Sequence, residues 1–261
     1  MIKIAVVGSG ISGLGASYYL GKRHHVDLYE SDTRIGGHTH THKIQLEEEI
    51  NVDSGFIVFN DLNYPNLIQF FNELGVETAD TDMSFSVSSK TSTWSSNEFK
   101  KLSTFFKPAK LIFLKNIIKF NHAAKENIAG ISFREWLENK NLKKEFVNDY
   151  VLPMAAAIWS TPMDKIGEYP VESMLAFLKN HGLLKIINRP QWYFVKNGSA
   201  SYIDAIIQSS NINNIFTGES PIINKSNQQW QLKTSNHELD YDHVVIATHI
   251  NDVPKLLANY K

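Results

Sequence analysis

Residues 1–38 read MIKIAVVGSGISGLGASYYLGKRHHVDLYESDTRIGGH, and the rest of the chain is organised around them. The short apolar run from Ile2 to Val7 is rich in β-branched residues, which is typical of a buried parallel strand. The turn GSGISG follows at 8–13, and the apolar spacing of 14–20 predicts a helix. A second strand is expected from Val26 to Tyr29. Together these elements predict a β-α-β unit.

The glycines of this turn suit a ligand with phosphate groups. Gly8 permits a sharp turn, Gly10 lets a pyrophosphate approach the main chain, and Gly13 lets the helix pack tightly on the sheet. Free N–H groups at the helix start attract phosphate, and Glu30 follows at the distance where a carboxylate accepts from an adenosine ribose. The pattern predicts a dinucleotide site, and the alternative is a glycine-rich turn without ligand. The candidate contacts are Gly8, Ser9, Gly10, Ile11, Ser12, Gly13 and Glu30.

Two longer motifs indicate which dinucleotide is expected. Residues 8–20 resemble the GxGxxGLxxAxxL pattern of FAD-binding oxidoreductases, with Ser17 in place of the usual alanine. Residues 30–37, ESDTRIGG, are similar to the ExxxRxGG signature of the flavin amine oxidase, protoporphyrinogen oxidase and phytoene desaturase superfamily. The resemblance implies FAD as cofactor and disfavours an NAD-linked dehydrogenase. It also implies cofactor contacts from Ser31, Arg34, Gly36, Gly37 and His38, where His38 replaces a frequent arginine.

The resemblance extends over nearly the whole chain. Residues 63–67, 82–86, 152–162, 180–184 and 189–192 are similar to a bacterial subgroup known as predicted flavin-containing amine oxidoreductases. It implies that Gly55 and Phe56 pass close to the flavin ring and that main chain near Ile222 contacts the adenine. Members of the subgroup continue well beyond the equivalent of residue 261. The chain is therefore expected to be a fragment, a short natural form, or a polypeptide completed by another.

The expected fold is α/β. It consists of a Rossmann-like FAD-binding domain with a β-meander, formed by residues 1–60 and 196–261, and an inserted α+β substrate domain, formed by residues 61–195. Within the insert, alternation at 84–88 predicts a strand that pairs with a strand at 91–95.

Composition narrows the class of protein. The 261 residues are 43% hydrophobic and 20% charged, which is ordinary for a globular protein, and the net charge of -1 gives no field that favours nucleic acid. The absence of cysteine excludes disulfides, thiolate nucleophiles and cysteine-ligated metals. With no signal-peptide pattern and no membrane-spanning run, a cytoplasmic location is expected.

Residues 98–126 have an unusual pattern. Seven lysines and many bulky apolar residues lie between Glu98 and Glu126 with no acidic residue among them. Such a pattern is typical of a helix lying in a membrane interface. The alternative is an amphipathic helix of the substrate domain with a solvated basic face.

The chain offers few candidates for catalysis by its own side chains. His38, His40 and His42 would share one face of a strand, but such neighbours rarely supply a whole ligand set, so a segment beside the cofactor is favoured over a metal site. Neither HExxH nor GxSxG occurs. His38 and His40 are the titratable groups nearest the expected flavin, and a structural role is expected for both.

The sequence predicts an FAD-dependent oxidoreductase that oxidises or desaturates a hydrophobic or amine substrate by hydride transfer to flavin. The alternative is a non-catalytic dinucleotide-binding module that needs a partner segment to complete its flavin site. Aromatic residues are frequent in the insert, where they form either a core or a pocket for a hydrophobic small molecule. They include Phe85, Trp94, Phe105, Phe106, Trp159, Trp192 and Tyr193.

Overall fold

A computed structural model describes residues 1–88, 93–185, 188–226 and 229–257. The strands are β1 (Lys3–Val7), β2 (His25–Glu30), β3 (Thr41–Gln45), β4 (Glu49–Asp53), β5 (Phe59–Asn60), β6 (Thr78–Thr81), β7 (Ser86–Ser88), β8 (Thr93–Ser95), β9 (Trp192–Val195), β10 (Ile212–Thr217), β11 (Ile222–Ser226), β12 (Gln229–Lys233), β13 (Glu238–Tyr241) and β14 (His243–Ile246). The α-helices are α1 (Ile11–Gly21), α2 (Pro65–Leu74), α3 (Pro108–Ala123), α4 (Phe133–Asn139), α5 (Lys144–Phe146), α6 (Leu152–Trp159), α7 (Met163–Ile166), α8 (Val171–Asn180), α9 (Ala200–Ser209) and α10 (Val253–Leu256). Shorter 3₁₀ turns cover Ser96–Lys100, Leu102–Phe106 and Ile250–Asp252, and a π-helical turn covers Val147–Val151.

The chain divides into two compact units. Unit 1 consists of Met1–Phe59, Tyr64–Asp80 and Tyr193–Lys261, and unit 2 of Asn60–Asn63 and Thr81–Trp192. The mixed α/β class predicted from the sequence is confirmed.

Unit 1 is built on a parallel sheet with strand order β10-β2-β1-β14. β1 lies between β2 and β14, which explains why its apolar run from Ile4 to Val7 is almost completely buried. α1 connects β1 to β2, as the β-α-β pattern predicts. The glycine turn therefore lies where β1 ends and α1 begins.

Residues 64–80 lie in unit 1, whereas the sequence-based boundary placed them in the insert. The physical reason is the apolar face of α2. Phe70 packs against Tyr18 of α1 and Phe71 against Tyr202 of α9, each with a ring separation of 5.3 Å. Both phenylalanines are buried in the core that lies under the parallel sheet.

The predicted meander is the antiparallel sheet β11-β12-β13. A buried polar network connects it to the parallel sheet. Asp27, fully buried in β2, accepts hydrogen bonds from the Tyr241 hydroxyl at 2.9 Å and from the Asn214 side-chain amide at 2.8 Å. The hydroxyls of Tyr241 and Tyr29 are 2.8 Å apart, and the Tyr29 hydroxyl is 3.1 Å from Nε2 of His237.

Unit 2 has its own core of aromatic and aliphatic side chains. Trp94, Phe133, Trp136 and Phe146 are buried there with residues of α6 and α8. β8 covers the 93–95 part of the predicted 91–95 strand and pairs with β7, while residues 91 and 92 lie outside the described residues.

The basic segment 98–126 forms two short 3₁₀ turns followed by α3. Phe113 of α3 packs against the core of unit 2, and an ion pair of 2.8 Å joins Lys110 to Glu98. Ile112 and Ile118 are about half exposed. Among the described residues, no helix combines the length and apolar character needed to span a bilayer. Contact of this segment with a membrane interface stays a prediction.

Candidate functional site

The turn between β1 and α1 is closed by backbone contacts that require glycine. Gly8 has φ +104°, in the left-handed region, and its N–H donates to the Tyr29 carbonyl at 2.8 Å. A Cβ on Gly13 would lie 1.8 Å from the Gly8 carbonyl oxygen. Gly13 therefore lets the first turn of α1 rest directly on the end of β1, as the sequence predicts.

Gly10 has the opposite surroundings. A Cβ built on it would have no heavy atom within 4 Å, so the space beside it is open. Gly10 is also the N-cap of α1, and no side chain accepts a hydrogen bond there. The first N–H groups of the helix, those of Ile11 and Ser12, therefore begin beside an open space, which fits a bound diphosphate.

Glu30 is fixed at the end of β2 by four donors. Oε2 accepts from the N–H of Ser9 at 2.9 Å and from its hydroxyl at 2.5 Å. Oε1 accepts from the N–H of Asp32 at 2.9 Å and from the hydroxyl of Ser31 at 3.2 Å. Partial burial raises the pKa of Glu30, but these bonds outweigh it and the pKa lies below its ordinary value. The group is therefore a carboxylate at neutral pH.

The second glycine pair lies against the first glycine turn. The N–H of Gly36 donates to the carbonyl and to the hydroxyl of Ser9, at 3.1 and 3.2 Å. A Cβ on Gly37 would lie 2.8 Å from the Cα of Gly10. Gly36 and Gly37 have φ of +116° and +59°, which favours glycine at both positions. The fold thus brings together two motifs that were predicted to share one cofactor.

Arg34 makes contacts within its own loop. Its Nη1 donates to the Thr39 carbonyl at 2.6 Å and its Nη2 to the Gly37 carbonyl at 2.7 Å. The guanidinium group therefore holds the shape of the glycine pair. Direct contact of Arg34 with a pyrophosphate stays a prediction.

Gly55 contacts the backbone of His38, whereas Phe56 packs against aromatic side chains. A Cβ on Gly55 would lie 1.8 Å from the His38 carbonyl oxygen, so Gly55 permits close contact between these two backbones. The side chain of His38 is exposed. The ring of Phe56 packs beside Phe59 and Tyr202 at 6.1 Å, in the core of unit 1. Flavin contacts by these residues stay predictions.

Asp53 has a structural role that the sequence did not predict. Its carboxylate accepts hydrogen bonds from the N–H and the hydroxyl of Ser199, the N-cap of α9, at 2.9 to 3.0 Å. It also accepts from Thr41. Asp53 therefore joins β4 to the start of α9. Asp53 and Ser199 are 146 residues apart in the sequence, so no local pattern indicated this pairing.

His40 and His42 stack with ring centroids 3.9 Å apart, and Nε2 of His42 is 2.8 Å from the Ser54 hydroxyl. Loss of hydration, together with the neighbouring His42, lowers the pKa of His40. Within the described ranges, no group of three or more His, Asp or Glu side chains could hold a metal ion.

Ile222 is the first residue of β11 and is partly exposed. Three residues before it, the N–H of Glu219 donates to the Glu30 carbonyl at 2.8 Å. Gly218 donates in the same way to Asp32 at 2.9 Å. The chain that leads into the meander is therefore bonded to the end of β2. Contact of Ile222 with an adenine stays a prediction.

Comparisons with known proteins agree with this geometry. Residues 6–74 match the family described as NAD(P)-binding Rossmann-like domain. No curated protein matches the sequence. Solved structures share the fold: an oxidoreductase from Methanosarcina mazei (19% identity, TM-score 0.65), a proposed protoporphyrinogen oxidase from an Exiguobacterium species (16%, 0.66) and putrescine oxidase bound to putrescine (17%, 0.67).

These matches cover 99 to 100% of this chain but only 60 to 62% of the solved chains. At such identities the likeness is one of fold. Residues 6–74 are similar to the NAD(P)-binding Rossmann-like domain family, and the chain shares the fold of the corresponding part of these solved structures.

Proposed function

We propose that the protein is an FAD-dependent oxidoreductase of the amine oxidase-like superfamily, which transfers a hydride from a hydrophobic or amine substrate to the flavin. The observation that carries the proposal is the contact between Gly37 and Gly10, because it joins the ADP-binding type of turn to the flavin-type glycine pair. The solved structures with the same fold include an amine oxidase, which supports the choice of superfamily.

When bound, FAD supplies the redox chemistry, and the protein binds and orients it. The N–H groups of Ile11 and Ser12 would hold the diphosphate, and Glu30 would hold the adenosine ribose. Each carboxylate oxygen of Glu30 already accepts two hydrogen bonds. The longest, 3.2 Å from the exposed Ser31 hydroxyl, is the one that a ribose hydroxyl would replace.

Replacement of Gly10 by valine tests the cofactor assignment. The new side chain meets no protein atom within 4 Å of its Cβ, and the φ of Gly10 is -66°, so the fold should be retained. The valine would occupy the space where the diphosphate is expected. We expect FAD affinity to fall by more than about tenfold with little change in the urea denaturation midpoint. The wild type should show a flavin absorption band that bleaches under a reductant.

Gly15→Ala is the matched control, because Gly15 lies in the same helix and its Cβ would also meet open space. It should retain FAD. Equal FAD affinity in wild type and Gly10→Val would contradict the assignment. A protein that binds ADP but not FAD, or whose bound FAD is never reduced, would favour the non-catalytic module.

A further inference from the structure

Unit 2 contains a cavity of about 540 Å³. This is within the range of small-molecule pockets, about 300 to 1,000 Å³. Its walls are mainly apolar, from the loop before β7, the region around β8, α3, α6 and the segment that leads into β9. They include Phe85, Trp94, Phe99, Ile117, Met154 and Trp192. An alkyl chain or a ring system would be desolvated well there.

Tyr150 supplies a polar group to this cavity. It is 9% exposed and lines the cavity, and its ring packs on Trp94 and Phe146 with centroids 5.3 and 5.1 Å away. Its hydroxyl forms no hydrogen bond with any residue that the structure describes. The hydroxyl oxygen is not among the fully buried atoms, so it is accessible at the cavity wall. A phenolic hydroxyl in this position can donate a hydrogen bond to a ligand.

Arg189 supplies a positive charge to the same cavity. Its Nε donates to the Lys185 carbonyl at 2.7 Å, and its two Nη atoms bond to none of the described residues. Tyr150 and Arg189 line the same cavity. Burial raises the pKa of Tyr150, and the positive charge of Arg189 lowers it by a smaller amount. Asp82, the other charged residue of the lining, is exposed, as is Arg189, but Asp82 is not among the charges that shift the pKa of Tyr150.

We infer that this cavity binds an aliphatic carboxylic acid, with the alkyl chain against the apolar walls and the carboxylate on Arg189 and the Tyr150 hydroxyl. A guanidinium group bonds a carboxylate through two parallel N–H donors, which a neutral head group cannot match. The role of this ligand as a substrate rests on the proposed function. Binding of the ligand in the cavity does not depend on that function.

Tryptophan fluorescence reports binding, because Trp94 and Trp192 line the cavity. The probes are decanoate, decanol and decylamine, which differ only in the head group. We expect decanoate to bind about tenfold more tightly than decanol, and decylamine to bind most weakly. Shortening the acid should weaken binding by up to about fourfold per methylene group removed.

Two variants and a control identify the residues. Arg189→Gln should remove the preference for decanoate over decanol and leave decanol affinity unchanged. Lys185→Gln, in the same loop but outside the lining, should keep the preference. Leu114→Trp, which extends into the cavity from α3, should weaken both ligands.

Equal binding of acid and alcohol by the wild type, tighter binding of the amine, or no fluorescence change with any probe would overturn the inference. The readout requires no flavin. If the wild type binds FAD but not decanoate, the result counts against this site alone. If it binds decanoate but not FAD, the result counts against the proposed function alone.

Discussion

The glycine turn of unit 1 and the aromatic core of unit 2 differ in the contacts that stabilise each of them. At the turn, the contacts are between backbones, and Gly13 leaves no room for one added carbon. In unit 2, Phe133 and Trp136 fill the interior with large side chains that are fully buried. Adding an atom should therefore destabilise the glycine turn, and removing atoms should destabilise the aromatic core.

The largest effect is expected from Phe133→Ala in unit 2. Phe133 is fully buried and stacks on Trp136 with a centroid separation of 5.8 Å. Its removal should lower the free energy of unfolding by about 3 to 5 kcal/mol, because a cavity remains. Phe106→Ala is the control, since Phe106 is 80% exposed. Urea denaturation checks both, and equal losses would contradict the account of this core.

Gly13→Ala tests the other half of the comparison. One methyl group would lie 1.8 Å from the Gly8 carbonyl, so the helix must move away from β1. We expect a loss of about 3 kcal/mol in the free energy of unfolding and loss of dinucleotide binding. Gly15→Ala in the same helix meets no atom within 4 Å and should stabilise by about 0.5 to 1 kcal/mol. Similar stabilities for the two variants would show that backbone packing is not the constraint at Gly13.

This contrast also explains what the sequence could predict. The strand, glycine turn and helix of 3–21 and the pair Gly36-Gly37 were recognisable, because the backbone restricts those positions to glycine. The position of α2 in unit 1 and the bond of Asp53 to Ser199 were missed. They depend on side chains distant in sequence, and no local pattern determines such a pairing. The cavity beside Tyr150 is likewise formed by side chains that are distant in sequence.

The network around Asp27 is an intermediate case between the glycine turn and the aromatic core, because its stability depends on both burial and hydrogen bonds. Tyr241→Phe removes the donor at 2.9 Å from a carboxylate that is fully buried. We expect a loss of about 1 to 3 kcal/mol in the free energy of unfolding. Tyr193→Phe, outside this network, is the control. If both variants unfold at the same urea concentration, the hydrogen bond from Tyr241 to Asp27 does not stabilise the fold.

The same network gives an alkaline limit to stability. Burial raises the pKa of Tyr29 to about 12 and also raises that of Tyr241, from the ordinary value of 10.0. Because the folded-state values are higher, the neutral phenols stabilise the fold fully below pH 10.0, and this contribution is lost as the pH rises towards 12. Denaturation midpoints measured between pH 8 and 12 should fall less steeply in Tyr241→Phe than in the wild type. Parallel curves would contradict this assignment.

Glu30 gives the smallest effect and the opposite dependence on pH. Hydrogen bonds from Ser9 and Asp32 hold its folded-state pKa below the ordinary value of 4.5. The ionised carboxylate therefore stabilises the fold above pH 4.5, and the contribution is lost as the pH falls through the lower folded-state value. Glu30→Gln should be less stable than the wild type at neutral pH, and the difference should close under acid. Glu48→Gln, exposed in the β3–β4 turn, should show no such difference. A constant gap between Glu30→Gln and wild type at all pH values would mean that the amide disturbs the shape of the turn, and that the charge on Glu30 contributes nothing to holding it.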